Sequence, residues 1–217
     1  MAVGQANFAS FLIEGQVCLA GSRTFVHEKI YDEFVEKSAK HIANTKYGDS
    51  FDETTTNGPL ISKVQQDRVM NYINIGQHQG ASLVAGGSIP DTKGYYVKPT
   101  IFADVKNDMT IAREEIFGPV MSVIKYSDLD EVIEMANDTE FGLAAGVVTK
   151  DINKAIHLSN GIRAGTVYIN TYHMINPSTP FGGFKNSGLG RDYGKPGIDA
   201  YLETKTVVMA RPAGSLP

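Results

Sequence analysis

Hydrophobic positions in the first third of the chain recur at helical spacing. Residues 2–14 contain good helix formers with no Gly or Pro after Gly4, which predicts a helix that ends near Gly15. Residues 28–43 place apolar side chains on one face and Glu and Lys on the other, which predicts an amphipathic helix. A third helix is expected at about 62–78, after a loop rich in Asp, Thr and Gly.

Strand-like runs follow and then alternate with helical ones. The short apolar, β-branched runs are Arg23–His27 and residues 82–85, 95–103 and 120–125. The alternating segments are a helix at Asp128–Ala136, a strand at Leu143–Thr149, a helix capped by Asp151 and a strand at Gly165–Asn170. Because a helical crossover returns the chain in the same direction, parallel strand pairing is predicted. The expected fold class is α/β, with a mostly parallel twisted sheet flanked by helices.

The last β-prone run, Lys205–Met209, is followed only by a loose tail rich in Pro, Ala and Gly. A terminal strand with nothing after it often pairs with another chain. The sequence therefore predicts a C-terminal oligomerisation strand and tail over residues 204–217. The remaining residues, 1–203, are expected to form the main domain.

Composition and charge narrow the class of protein. Hydrophobic residues make up 42% and charged residues 20% of the 217 residues, close to globular averages, so a folded core is expected. A net charge of −4 and the lack of a Lys/Arg cluster argue against nucleic-acid binding. No apolar run approaches the roughly 18 residues that a membrane span needs, so no membrane association is expected.

The cysteine and histidine residues indicate a reducing compartment, and they do not indicate a metal site in the protein. Cys18 is the single cysteine, which excludes an intrachain disulfide and a cysteine-only metal site. The five histidines show no metal-ligand spacing. No Lys or Arg precedes Arg23, so the start of the chain does not resemble a signal peptide. The expected compartment is the cytoplasm, or an organelle if a targeting segment precedes the chain.

Cys18 is the first candidate for chemistry. It follows a predicted helix–Gly break and precedes the small residues Ala20, Gly21 and Ser22, which allow close backbone approach. A thiolate presented in such a turn is a strong nucleophile towards carbonyl carbon. The alternative is that the lone cysteine is a buried small hydrophobic residue. A Cys/His hydrolase would need partners that the sequence does not identify.

Two further segments are candidates for a binding site. Arg113–Pro119 carries a Glu pair before an aromatic residue and a Gly-Pro turn, where a carboxylate could accept hydrogen bonds from a ribose or do acid–base work. The alternative is that these are solvated loop charges. Thr179–Arg191 is rich in Gly but has one residue too many for the dinucleotide fingerprint, so it predicts a loop packed over a site rather than a phosphate loop.

Taken together and in this order, three segments resemble the aldehyde dehydrogenase superfamily. They are Gly-Gln-x-Cys-x-Ala-Gly-Ser-Arg from Gly15, Glu-Glu-Ile-Phe-Gly-Pro-Val from Glu114, and Pro-Phe-Gly-Gly-Phe-Lys-x-Ser-Gly-x-Gly-Arg from Pro180. The resemblance covers essentially the whole chain. It implies that residues 1–203 are the catalytic domain of an enzyme that oxidises an aldehyde to a carboxylic acid with NAD or NADP.

The resemblance also assigns roles to individual residues. It implies that Cys18 attacks the aldehyde to form a thiohemiacetal, which becomes a thioester that water hydrolyses. Glu115 matches the carboxylate that binds the nicotinamide ribose, Phe117 matches the aromatic residue near the nicotinamide, and Gln65 matches a position that contacts the cofactor in some members. Phe181 matches an aromatic residue of the substrate tunnel.

Other positions of the tunnel and of the nucleophile segment vary or depart from the family. Residues 172–178 form the variable segment that shapes the tunnel, and His173 within it is a candidate specificity residue. Many members of the family carry Asn where this chain has Ile13. That departure is expected to alter the packing behind the nucleophile without removing the nucleophile itself.

The resemblance further implies that some of the machinery lies outside this chain. In the family an N-terminal half carries the cofactor sheet, the Glu that acts as general base and an Asn that completes the oxyanion hole, whereas only seventeen residues precede Cys18 here. The chain is therefore expected to be incompetent alone and to need a complementing N-terminal half or a homo-oligomer. Two alternatives are a non-enzymatic assembly module that binds full-length relatives and a residual thiol esterase.

Overall fold

A computed structural model describes residues 1–212 and 214 of the chain. Over these residues, the α-helices are α1 (Ala2–Phe11), α2 (Tyr31–Ile42), α3 (Lys63–His78), α4 (Thr110–Arg113), α5 (Leu129–Asn137), α6 (Ile152–Gly161) and α7 (Gly194–Asp199). Short 3-10 helices span Leu12–Gly15, Glu28–Ile30 and Lys185–Ser187. The strands are β1 (Arg23–His27), β2 (Ser82–Ala85), β3 (Thr100–Ala103), β4 (Val120–Tyr126), β5 (Ala144–Val147) and β6 (Thr166–Ile169).

Local capping fixes where several helices begin. Asp128 accepts hydrogen bonds from the first backbone N–H groups of α5, and Glu131 returns to the N-cap backbone, which completes a capping box. Asp151 accepts from Asn153 N and Lys154 N at the start of α6, as the sequence predicts. Ser62 caps α3 in the same way.

The main sheet has four strands in the order β1-β4-β3-β2. β1 pairs with β4 and β4 with β3 in parallel, whereas β2 runs antiparallel to β3 at the edge. The central strands are buried on both faces, as helix-covered parallel strands are. Ile101 and Met121 face the side covered by α1 and α2, while Phe102 and Val120 face the side covered by α3 and α4. The α/β class with a mostly parallel sheet flanked by helices is thus confirmed.

A second sheet is separate from the first. β5 and β6 form a two-stranded parallel pair joined by α6, which confirms the crossover predicted for Leu143–Asn170. The alternation before it does not extend that unit, because β4 belongs to the main sheet and β5 does not. A small cluster of Ala9, Leu19, Tyr168 and Tyr172 joins this second sheet to α1 and to the segment around Cys18.

Some predicted boundaries were wrong. The first helix ends at Phe11 rather than near Gly15, because the next residues turn into a 3-10 helix with left-handed backbone. Of the run 95–103, only Thr100–Ala103 is a strand. Helices α4 and α7, which are too short to show periodicity in a sequence, were not predicted.

Residues 203–211, called the C-terminal segment below, pair with no strand of the described chain and are exposed. The strand predicted at Lys205–Met209 is therefore not formed within the described part of this chain. Its pairing with a second subunit stays a prediction, and residues 213 and 215–217 of the predicted tail lie outside the described residues. Among the described residues, no helix is both long and apolar enough to cross a bilayer.

Candidate active site

Cys18 lies at the end of a turn that faces a cleft of about 540 Å³. We call residues 12–18 the nucleophile turn. The side chain of Cys18 is exposed, so the alternative of a buried small hydrophobic residue is wrong. The hydrogen bonds of the turn join Gln16 N to Ile13 O at 3.0 Å and Ala20 N to Val17 O at 2.9 Å. The N–H of Cys18 donates to no protein acceptor among the described residues, which leaves a backbone donor beside the thiol.

The backbone of the nucleophile turn is left-handed at three consecutive residues. Ile13 has φ 53°, Glu14 has φ 58° and Gly15 has φ 67°. Only glycine adopts this region freely, and a β-branched residue such as Ile is a clear outlier there. Asn tolerates the region better, which gives a physical reason for the Asn that the resemblance implies at the position of Ile13. Such strain persists only where surrounding contacts hold it.

The first of these contacts joins the nucleophile turn to the Glu-Glu-Ile-Phe-Gly-Pro segment. A Cβ added to Gly15 would lie 2.2 Å from Gly118 O, so the two backbones touch and only glycine fits. Gly118 is equally confined, because its added Cβ would meet Val69 Cγ2 at 2.3 Å. This close approach brings Glu115 and Phe117 to the cleft that Cys18 lines.

The other contacts come from residues 57–61, the loop before α3. Asn57 Nδ2 donates to Glu14 Oε2 and Gly58 N donates to Glu14 Oε1, each at 3.1 Å. Ile61 N donates to Gln16 Oε1 at 3.0 Å. Burial raises the pKa of Glu14 to about 7, although the bonds from Asn57 and Gly58 oppose the shift. Glu14 is a residue that the sequence interpretation missed; its signal was a charged side chain in an otherwise apolar run.

Glu115 and Phe117 are presented by an anchored backbone. Both side chains are exposed at the cleft, and Phe117 has φ 56°. Gln65 Nε2 donates to Ile116 O at 3.2 Å and to Phe117 O at 2.7 Å, and Arg68 donates to Glu115 O at 2.8 Å. In this structure Gln65 therefore holds the segment that carries Glu115 and Phe117, and it does not itself line the cleft.

The two predicted tunnel residues lie on the second-sheet side of the nucleophile turn. Phe181 packs on the small apolar cluster that contains Leu19 and Tyr172, as Val17 does. His173 Nε2 lies 3.1 Å from Ala9 O, and burial lowers the pKa of the imidazole. Neither side chain lines the cleft, whereas Tyr172 does. Tyr172 was named only as part of the variable segment, and its burial raises the pKa of its hydroxyl.

The residues at the cleft fit part of a nicotinamide cofactor. The carboxylate of Glu115 has no protein partner among the described residues and is free to accept from ribose hydroxyls. The ring of Phe117, 38% exposed, offers an aromatic edge to a planar group. No group of three or more His, Cys, Asp or Glu side chains in residues 1–212 and 214 could hold a metal ion.

Comparison with known proteins concerns the family and the fold of the chain. The model of the Aldehyde dehydrogenase family matches residues 1–207. Human mitochondrial aldehyde dehydrogenase is 49% identical over 211 residues, which make up 97% of this chain and 41% of that protein. The NAD+ complex of the Bacillus cereus aldehyde dehydrogenase is 48% identical with a TM-score of 0.93, and the match covers 95% of this chain and 42% of that one.

A third relative, betaine aldehyde dehydrogenase from Staphylococcus aureus in complex with NAD+, is 38% identical with a TM-score of 0.92. The match covers 94% of this chain and 41% of that chain. The chain thus spans about two fifths of the length of these relatives. Since the family model matches nearly all of the chain and the fold agrees, the chain belongs to the aldehyde dehydrogenase family.

Proposed function

We propose that this chain carries the nucleophile of an enzyme that oxidises an aldehyde to a carboxylic acid with NAD or NADP. One observation carries the proposal: Cys18 is exposed on the same cleft as Glu115 and Phe117, held there by the contact between Gly15 and Gly118. A nucleophile and a ribose-binding carboxylate on one cleft are what hydride removal from a thiol-bound aldehyde requires.

Cys18 supplies the covalent chemistry. Its thiolate attacks the aldehyde carbon, a C–S bond forms and the carbonyl oxygen becomes an oxyanion. The free backbone N–H of Cys18 stabilises that oxyanion. Loss of the hydride from the thiohemiacetal carbon leaves a thioester on Cys18, and attack by water releases the carboxylic acid and restores the thiol.

The cofactor side of the cleft is assigned to Glu115 and Phe117. Glu115 would accept hydrogen bonds from the ribose hydroxyls of a nicotinamide cofactor, and Phe117 would limit where the adjacent ring can lie. When bound, such a cofactor would supply the hydride acceptor. Gln65 acts one step further away, since its amide fixes the carbonyls of Ile116 and Phe117 and so orients the segment. Support for NAD comes from two relatives whose structures are NAD+ complexes.

The cleft also supports the proposal that residues outside this chain complete the site. All of β1 lines one part of it and all of β5 lines another, and each strand is at the edge of its sheet. An edge strand offers unpaired N–H and C=O groups to an added strand. We infer that an extended segment from the part of the family that this chain does not span lies between β1 and β5. The general base and the second oxyanion donor are proposed to lie in the same part.

The C-terminal segment supports association between subunits. Val207, Val208 and Met209 are 72%, 90% and 83% exposed, a run of apolar surface that the single chain leaves uncovered. We propose that this segment adds to a neighbouring subunit, either in a working homo-oligomer or, as the second candidate function, in an assembly module that binds full-length relatives. Deletion of residues 204–217 should then abolish association in a sizing experiment, and unchanged association would contradict it.

The test of the main proposal is NADH formation with a panel of aldehydes. The purified chain is assayed alone and after mixing with the part of the human mitochondrial relative that precedes the aligned region. We expect turnover only in the mixture, and its loss in Cys18→Ala and Cys18→Ser. Turnover that survives either substitution would overturn the role of Cys18. Turnover by residues 1–217 alone would overturn the proposal that residues outside this chain complete the site.

The compartment is part of the proposal as well. A reducing compartment suits a free, exposed thiol, and the cytoplasm is the proposed location. One relative is named as mitochondrial, so an organelle is the alternative. Cell fractionation with an antibody against the chain distinguishes the two.

A further inference from the structure

Glu14 is a buried carboxyl directly behind the nucleophile. The residue is 7% exposed, yet its neighbours Gly15 and Cys18 line the cleft and it does not. Its carboxyl group turns instead to the loop before α3, where Asn57 and Gly58 donate to its two oxygens. The chemistry proposed above does not use this group.

The position of Glu14 links it to the geometry of Cys18. Glu14 is the middle one of the three left-handed residues, and two of those three are not glycine. The bonds from Asn57 and Gly58 are the side-chain contacts of Glu14 that hold this strained backbone against the loop. If Glu14 leaves its pocket, the turn can relax, and Cys18 moves because it lies four residues further along the chain.

We propose that Glu14 is a positioning residue for Cys18, whose neutral carboxyl seats the nucleophile turn on Asn57 and Gly58 and whose ionisation favours an unseated turn. A neutral carboxyl still accepts the bond from Gly58 N, and the Asn57 amide can rotate so that its oxygen accepts the carboxyl proton. A carboxylate at the same place must stay ionised in a buried site without a cation.

The surroundings of Glu14 also favour the neutral form of its carboxyl group. Desolvation raises the pKa of this carboxyl from 4.5 to about 7, and no cation is among the causes of the shift. Tyr47, on the loop that carries Asn57, has its own pKa raised to about 12 by burial and by Glu14. Helix α1 carries no ionisable side chain. The segment that Gly15 touches carries Arg113, Glu114 and Glu115, and the stretch that Gly15 leads to carries the exposed Cys18.

Linkage then sets the sign of the effect. A proton is bound more tightly when the turn is seated than when Glu14 is in water, so the unseated state gains as the pH rises from 4.5 towards 7. Because one proton is released, the opening equilibrium can increase by at most about tenfold per pH unit in this window. Above the upper end, both states are ionised and the equilibrium becomes constant.

Amide hydrogen exchange of the full chain tests this without aldehyde, cofactor or turnover. The amides of Gly58 and Ile61 donate to the turn, so their protection reports its seating. We expect their exchange, after correction for the intrinsic rate, to speed up by up to about tenfold per pH unit across the window and to level off above pH 7. In Glu14→Gln, which keeps the shape without the charge, the corrected exchange should be independent of pH.

Two variants and one core amide serve as controls. Glu53→Gln removes an exposed carboxylate from the loop that also contains Asn57 and should behave like the wild type. Asn57→Ala removes a bond that lowers the pKa of Glu14, so its transition should move to higher pH. The amide of Val123 in β4 reports global unfolding, and its exchange should not follow that of Gly58.

Cys18 provides the link to function. As the single cysteine, it can be alkylated with iodoacetamide, and the rate can be divided by the thiolate fraction read from ultraviolet absorbance. In the wild type, we expect the dependence of this corrected rate on pH to change slope at the same pH as the exchange of Gly58. In Glu14→Gln, the corrected rate should be independent of pH. The same profile in both proteins, or pH-independent exchange at Gly58 in the wild type, would overturn the proposal.

The inference rests on the proposed function only where it calls Cys18 a nucleophile. If the turn responds to Glu14 but no turnover is found under any condition, the positioning role stands and the proposed function fails. If turnover depends on Cys18 but exchange is independent of Glu14, the reverse holds.

Discussion

The nucleophile turn and the C-terminal segment are both irregular backbone, yet they depend on different molecules. The turn is fixed by two other segments of this chain, through the contact of Gly15 with Gly118 and through the bonds that Glu14 and Gln16 accept from residues 57–61. The C-terminal segment is exposed along its length and carries the apolar run Val207–Met209. The difference indicates that the fold of this chain holds one region in a strained conformation, while it leaves the apolar side chains of the other region uncovered.

The largest effect is expected from a substitution at the tightest contact of the nucleophile turn. Gly15→Ala places a Cβ against Gly118 O and forces Ala into left-handed backbone, so the free energy of unfolding should fall by about 3 kcal/mol. Urea unfolding followed by circular dichroism measures it. Gly4→Ala, where an added Cβ meets nothing within 4 Å in α1, should instead stabilise by about 0.5–1 kcal/mol. Equal effects at the two glycines would contradict the packing argument.

Ionisation of Glu14 should change the free energy of unfolding by a similar amount as the pH rises. Because its folded pKa is raised, its contribution to stability is complete below pH 4.5 and is lost as the pH rises through about 7. Relative to Glu14→Gln, the wild type should lose roughly 3 kcal/mol of unfolding free energy across this window. Urea unfolding of both proteins at several pH values measures the difference, and a difference independent of pH would refute the assignment.

Gln65 tests whether the segment opposite the turn is held in a comparable way. Gln65→Ala leaves the carbonyls of Ile116 and Phe117 without their donor, so the free energy of unfolding should fall by about 1–2 kcal/mol. Gln77→Ala, at an exposed position of the same helix, should change it by less than about 0.5 kcal/mol. A weaker cofactor affinity in Gln65→Ala without any loss of stability would favour direct contact with the cofactor over positioning.

A substitution at Ile13 is expected to stabilise the nucleophile turn, whereas those at Gly15 and Gln65 are expected to destabilise the protein. The left-handed conformation of this exposed β-branched residue costs about 1 kcal/mol that Asn largely avoids, so Ile13→Asn should raise the free energy of unfolding by about that amount. Ile89→Asn, at an exposed position without positive φ, is the matched control and should not stabilise. A loss of stability in Ile13→Asn would show that the Ile side chain makes contacts that outweigh the strain.

The smallest expected change in stability comes from the C-terminal segment. Val208→Asp alters a side chain that is 90% exposed, so the free energy of unfolding should change by less than about 0.5 kcal/mol. Association measured by analytical ultracentrifugation should weaken, because a charge enters the apolar run. Ser50→Asp adds the same charge to an exposed loop elsewhere and should leave association unchanged. Equal association of the two variants would remove the segment from the interface.

Sequence patterns predicted those features that are set locally. The amphipathic face of α2, the helix α5 and the cap at Asp151 depend on neighbouring residues, and the structure has them where the sequence predicts them. Cys18 was found in the same way, from a Gly break followed by small residues. The roles assigned to Glu115, Phe117, Phe181 and His173 came from resemblance and stay predictions, although the structure brings Glu115 and Phe117 to the cleft of Cys18.

Features that depend on contacts between distant segments were not predictable. The left-handed backbone at Ile13 and Glu14 contradicts local preference, because contacts with residues 57–61 and with Gly118 override it. The separation of β5 from the main sheet depends on strand pairing that no periodicity encodes. The structural use of Gln65 could not be inferred either, since its acceptors lie about fifty residues away.

The most direct test of the account is covalent labelling of Cys18 by an activated ester. The chain is incubated with p-nitrophenyl acetate, and intact-mass and peptide mass spectrometry follow. Acylation of a thiol needs no nicotinamide, whereas release of the acyl group needs a base that is proposed to lie outside this chain. We predict one acetyl group on the Cys18 peptide that persists, and none in Cys18→Ala. Absence of acetyl on Cys18, or equal labelling of Cys18→Ala, would contradict the claim that this turn presents a nucleophile to carbonyl carbon.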